Sequence, residues 1–149
     1  MMTQLCWSFR QVHMMASQQN PKLRFAAIAA NLAPARNAVR HYMARNGWQD
    51  MEMDVSIALG EVLQNIVRHG FTAHDKSGHF VLYLKATDLR LYIEVVDNAL
   101  PSDPATWTSA GKPLHEGGHG LRLIKSIAHK VDFIPLKTGN KVCLYFWKR

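Results

Sequence analysis

The run His79-Phe80-Val81-Leu82-Tyr83-Leu84-Lys85-Ala86, Thr87-Asp88, Leu89-Arg90-Leu91-Tyr92-Ile93-Glu94-Val95-Val96 decides the fold. Its apolar residues recur at period 2 and not 3.6, which predicts two strands, His79–Ala86 and Leu89–Val96, joined by a short turn at Thr87-Asp88. In the second strand Leu91, Ile93 and Val95 alternate with Arg90, Tyr92 and Glu94. Strict alternation suits an antiparallel sheet with one face covered and the other wet.

Upstream of this hairpin the period is helical. Ala35, Ala38, Val39, Tyr42 and Met43 mark the buried face of a first helix. It starts near Asn31-Leu32-Ala33-Pro34 and is capped at Asn46-Gly47. Asp50 is expected to cap a second helix over 51–69, ending at Gly70, with Val55, Leu59, Val62 and Ile66 on its apolar stripe. Lys22–Ala30 reads as a weak, alanine-rich strand, and residues 1–21 as a loosely attached arm or donor of an edge strand. Downstream, residues 98–116 carry Pro101, Pro104, Gly111 and Pro113 and no apolar period. A loop this long within a compact domain is in general functional or disordered. A helix over Leu121–His129 follows, packing through Leu121, Ile124 and Ala128. Val131–Leu136 and Lys141–Trp147 then close the chain as a hairpin around Thr138-Gly139-Asn140.

The order is therefore β-α-α-β-β-loop-α-β-β. Consecutive strands without intervening helices exclude a doubly wound parallel sheet. They predict an α+β two-layer sandwich, with helices on one face of a mixed, mostly antiparallel sheet. The 149 residues fit one domain, 22–149, behind the 1–21 arm. No apolar run approaches a membrane span, and the N-terminus lacks a secretory signal. Cys6 and Cys143 have no metal spacing, and so few cysteines suit a reducing cytoplasm. No histidine pair shares one helix at i, i+4, which argues against zinc.

The formal charge is +7 and uneven: residues 1–49 hold six Lys/Arg and no acid, whereas the other 100 hold twelve and eleven. Such a segment can face an acidic protein, a nucleic acid or ligand phosphates, or be a solvated basic face. There is no basic run with interleaved aromatics, so nucleic acid is disfavoured.

Three groups of polar residues stand in order along the chain. Glu61, Asn65 and His69 follow at i, i+4, i+8 on the shoulder of the second helix, where they could equally be surface polarity. Asp97 ends a strand, the usual place of a turn residue. A carboxylate there can also accept a hydrogen bond from an exocyclic amine. Gly117-Gly118-His119-Gly120 opens a helix, as a turn or as a backbone cradle for phosphate.

Taken together, these residues resemble the ATP-binding domains of gyrase, Hsp90, histidine kinases and MutL (the Bergerat fold). They are most similar to the bacterial anti-sigma-factor serine/threonine kinases. The likeness runs from about Leu23 to the C-terminus and includes Asp103-Pro104. The family's E-x-x-x-N helix with a following His-Gly is Glu61, Asn65 and His69-Gly70. Its strand-end Asp is Val95-Val96-Asp97, and its G-G-x-G-L is Gly117-Gly118-His119-Gly120-Leu121.

The resemblance implies that ATP and Mg²⁺ are the cofactors. Glu61 would be the general base, Asn65 the magnesium ligand and Asp97 the acceptor of the adenine amine. Gly117, Gly118, His119, Gly120 and Leu121 would form the nucleotide-contacting loop, with the backbone of Gly118 and Gly120 at the phosphates and the His119 side chain facing solvent. Residues 98–117 would form the lid. His69 reads as support for the helix end.

Two positions depart from the family's pattern. Ala99 stands where a glycine is usual, beside the adenine pocket. His115-Glu116 stands where an arginine can precede the glycine loop, leaving Lys112 or Arg122 as substitutes. Charge stabilisation supplies much of the rate in phosphoryl transfer. A non-catalytic ATP-binding switch is therefore the alternative to a kinase, and a detached histidine-kinase catalytic domain the third reading. The implied partners are a small STAS-type anti-anti-sigma antagonist, a sigma factor and a second copy of the chain. The helix carrying Arg36, Arg40 and Arg45 is the expected partner-facing surface.

Overall fold

The computed structural model describes residues 20–69, 78–102 and 118–148. Residues 1–19 of the arm, Gly70 at the expected helix end, the Thr72–Ser77 part of the first loop, and the 103–117 part of the second loop, with Lys112, His115, Glu116 and Gly117, lie outside the described residues.

The architecture is the α+β sandwich expected. Strands β1 (Lys22–Ala26), β2 (His79–Ala86), β3 (Arg90–Asp97), β4 (Lys130–Leu136) and β5 (Gly139–Trp147) form one sheet in the order β1-β2-β3-β5-β4. Every neighbouring pair is antiparallel. Helices α1 (Leu32–Arg45), α2 (Glu52–His69) and α3 (Gly118–Ile127) cover one face. The alternation quoted above fixes which face: Leu91, Ile93 and Val95 are 1%, 0% and 0% exposed, and they meet Val55, Leu59, Val62 and Ile66 of α2 in one core. On the other face the Tyr92 hydroxyl donates to the Glu94 carboxylate and lies 3.2 Å from Cys143 Sγ. Burial pushes the Cys143 thiol up, which suits a packed thiol and not a nucleophile.

Several boundaries differ from the sequence reading. β1 stops at Ala26 because Asn31 Nδ2 and Ile28 N–H both donate to the Ala26 carbonyl, which folds the alanine run into a 3₁₀ turn, Ala29–Asn31. Pro34 is the third residue of α1, where its missing N–H would have had no helical partner. The Asn46-Gly47 stop is as expected: Gly47 has φ +76, and the N–H groups of Asn46 and Trp48 both donate to the Met43 carbonyl. Asp50 sits inside a 3₁₀ turn, Gln49–Met51, and α2 begins one residue later than expected.

Two corrections touch the functional residues. β3 includes Asp97 as its last residue, and α3 starts at Gly118, so Gly118-His119-Gly120 are its first turn and not a loop before it.

Trp48 anchors the helical layer to the sheet. It is 0% exposed, and its Nε1 donates to the Thr87 carbonyl at 2.9 Å. Six residues earlier the Tyr42 hydroxyl accepts from Ala86 N–H at 2.9 Å. Both bonds hold α1 and its exit to the β2–β3 turn.

Candidate functional site

Glu61, Asn65 and Gly120 come together where the first turn of α3 lies across α2. A Cβ placed on Gly120 would stand 2.7 Å from Glu61 Oε2 and 3.8 Å from Asn65 Nδ2. A side chain at Gly120 would displace the Glu61 carboxylate from this position. Leu121 and Ile124 of α3, with Ala128 just past its end, enter the core, leaving Glu61 and Asn65 half-buried beside the helix. The first turn of a helix offers N–H groups with no helical partner and the positive end of the helix dipole. A carboxylate, a side-chain amide and the first turn of a helix are thereby gathered at one place.

The second group forms at the end of β3. Asp97 is 6% exposed, the buried charged residue among those described. Its Oδ1 accepts from Ala99 N–H at 2.9 Å and from Asn140 Nδ2 at 3.2 Å. Burial pushes its carboxyl above the usual aspartate range, and these bonds and the His79 charge offset only part of that. Ala99, 5% exposed, belongs to the turn that leaves the strand. Asn98 extends the pairing with β2, its Oδ1 accepting from His79 N–H at 2.8 Å.

Sequence reasoning missed Gly139 and Asn140, which read as hairpin-turn residues. Asn140 pairs with Asp97 across β3 and β5, and Gly139, at φ +152, passes so close that a Cβ would lie 1.9 Å from the Asp97 carbonyl oxygen. The signal that could have found them is strand register: once Leu91, Ile93 and Val95 are aligned with the alternating residues of β5, Asp97 falls opposite Asn140.

The remaining candidates are placed as follows. Leu121 is a core residue, 5% exposed, and Arg122 is exposed on α3. The backbone of Gly118 and His119 is helical. Among the described residues no three His, Cys, Asp or Glu side chains gather as a metal cage. Asn65 suits a Mg²⁺ ion, which takes few protein oxygens and shares its remaining positions between water and phosphate.

A groove of about 810 Å³ opens along the α1–α2 seam, lined by Arg36, Arg40, Met53, Ile57, Gly60 and Glu61 among others. Its wall includes Glu61 but neither Asn65 nor Asp97, so it is a feature beside the site and not the space in front of Asp97. Arg40 is already paired there with Glu52 at 2.6 Å, and Gly60 leaves room for Arg36 to lie along α2.

Comparison with known proteins identifies the family and the fold. Residues 25–146 match the family model of the histidine kinase-like ATPase domain. The chain is 27% identical over 135 residues to the serine/threonine-protein kinase BtrW of Bordetella bronchiseptica, covering 86% of this chain and 94% of that one. The crystal structure of the RsbU and RsbW domains of Rv1364c from Mycobacterium tuberculosis superimposes with a TM-score of 0.60 at 19% identity, a likeness of fold. That match covers 84% of this chain, which spans 31% of the longer polypeptide.

Proposed function

Because this chain belongs to the histidine kinase-like ATPase domain family, we propose that it binds ATP between α2, the end of β3 and the first turn of α3. We propose further that it passes the γ-phosphate to a serine or threonine of a small partner protein. The observation that carries the reading is the approach of Gly120 to Glu61 and Asn65, which joins the two motifs into one wall. In this reading Asp97 accepts a hydrogen bond from the adenine amine. The N–H groups at the start of α3, including those of Gly118 and Gly120, meet the phosphates. Asn65 holds Mg²⁺, which when bound neutralises phosphate charge.

Glu61 then takes the proton of the attacking hydroxyl as its oxygen bonds to the γ-phosphorus. The bond from that phosphorus to the bridging oxygen breaks, and ADP leaves. The partner we favour is an anti-anti-sigma antagonist of the STAS type, so that phosphorylation controls whether a sigma factor is free. This role belongs to the cytoplasm, and no described helix is long and apolar enough to cross a membrane. Arg36 and Arg45 on α1 are the basic residues we assign to the partner-facing surface, and a second copy of the chain completes the assembly.

A second reading, a nucleotide-dependent partner switch without transfer, is favoured by His115-Glu116 ahead of the glycine motif, where a cation would aid transfer. Incubation with labelled ATP and the antagonist separates the two. Label on the antagonist that is lost in Glu61→Ala supports the kinase. Nucleotide binding with no label under any condition supports the switch.

A further inference from the structure

Asn140 makes three hydrogen bonds with one side chain. Its Nδ2 donates to Asp97 Oδ1 at 3.2 Å and to the Leu100 carbonyl at 3.1 Å, and its Oδ1 accepts from Ser102 N–H at 2.9 Å. A primary amide has two N–H donors and one carbonyl oxygen, so donors and acceptor are all engaged. These bonds reach the buried carboxylate and, beyond it, two successive points of the segment 98–102. The residue before Asn140 contributes as well, since Gly139 lies against the Asp97 backbone with no room for a side chain.

We infer that Asn140 is a positioning residue for base recognition: it fixes the Asp97 carboxylate and the first residues beyond it as one rigid unit, and so sets the preference for adenine. This inference rests on the reading of Asp97 as the acceptor of the adenine amine.

The physical reason is directional. A carboxylate accepts from a base amine well only if its oxygens are held in the plane of that base, and Asp97 is the last residue of its strand, where the ladder ends. Ala99 N–H and Asn140 Nδ2 both end on Oδ1, which restrains rotation of the carboxylate. Without the amide, one of these two bonds is lost and the 98–102 segment loses two ties to β5. The phosphate end of the site, on α2 and α3, is untouched by such a change. Loss of Asn140 should therefore weaken binding of the adenine base and leave phosphate binding alone.

The test compares ATP with inosine triphosphate, which carries a carbonyl where adenine carries the amine. Binding of each is measured by calorimetry on the full chain. Asn140→Asp keeps the shape and the acceptor for Ser102 but removes both donors. Asn140→Ser keeps one donor and one acceptor. Wild type is expected to prefer ATP by about tenfold or more, the size of a hydrogen bond to a charged group. Asp97→Asn should bring the ratio near one, Asn140→Asp should do nearly the same, and Asn140→Ser should fall between.

Retention of the wild-type ratio in both Asn140 variants, with its loss in Asp97→Asn, overturns the inference and leaves the Asp97 reading standing. Equal binding of the two nucleotides by wild type overturns both. A residue with a merely structural role would weaken ATP and inosine triphosphate equally and lower the melting temperature, and that result also overturns the inference. If Asn140→Asp fails to fold, the ratio in Asn140→Ser decides on the same terms.

Discussion

Asp97 carries its charge at a point where water is nearly excluded, and burial raises its pKa above that of an exposed aspartate. The native state therefore takes up a proton at a higher pH than the unfolded chain. At neutral pH the ionised carboxylate opposes folding, and that cost is relieved as pH falls through the raised native pKa. Asp97→Asn is expected to melt at or above the wild-type temperature at pH 7, the difference shrinking in acid, although it loses selective ATP binding. ATP affinity of wild type should begin to fall, on acidification, at a pH above the ordinary aspartate range, and a calorimetric pH series reads this directly. Gly120 makes the complementary case. Gly120→Ala gains about 0.5–1 kcal/mol of helix propensity, while its Cβ displaces the Glu61 carboxylate. The expected result is a melting temperature within a few degrees of wild type, with nucleotide binding and transfer reduced.

At the scale of the elements, the start of β5 packs against and pairs with Asp97. Gly139→Ala would set a side chain against a backbone oxygen that has no flexible end to give, at a φ that side chains rarely adopt. A loss of roughly 2 kcal/mol or more is expected from such strain, read by denaturant unfolding. Trp48→Ala, which empties a fully buried site and breaks the bond to Thr87, should lose about 3–5 kcal/mol.

The elements differed in how much of them the sequence displayed. The β2–β3 hairpin and the α2 stripe were legible because one face of each is fully buried, so every second or every third-to-fourth residue reports the fold. The Glu61, Asn65 and Asp97 motifs were legible through spacing and resemblance. β1 was overextended because alanine fits strand and turn alike, and a side-chain bond from Asn31 decided between them. The start of α3 was placed late because glycine has poor helix propensity, and packing of Leu121 and Ile124 overrides it. Gly139 and Asn140 were hidden because their partner is 43 residues away in sequence at the hydrogen bond to Asp97, a relation that only register reveals.

For the whole molecule, the fold places the Glu61, Asn65 and Gly120 group on the helices and the Asp97 and Asn140 group at the sheet end, joined by a core that spans α2, α3 and the central strands. A ligand that bridges both groups should stabilise the chain as a unit. ATP at a hundred times its dissociation constant should add about 2.7 kcal/mol to unfolding stability, with a matching rise in melting temperature. The arrangement of a basic first helix beside the site predicts that reversing Arg36 to Glu weakens antagonist labelling while ATP affinity stays unchanged. Measured with a fixed ATP concentration, that change would appear in the partner's apparent affinity.

We propose that α2, the end of β3 and the start of α3 make one ATP site. Calorimetric titration of ATP, with and without Mg²⁺, into wild type, Asn65→Ala and Asp97→Asn tests it most directly. Expected are Mg²⁺-enhanced binding in wild type, loss of the Mg²⁺ enhancement in Asn65→Ala, and loss of affinity with or without Mg²⁺ in Asp97→Asn. Unchanged affinity and unchanged Mg²⁺ dependence in both folded variants would contradict it.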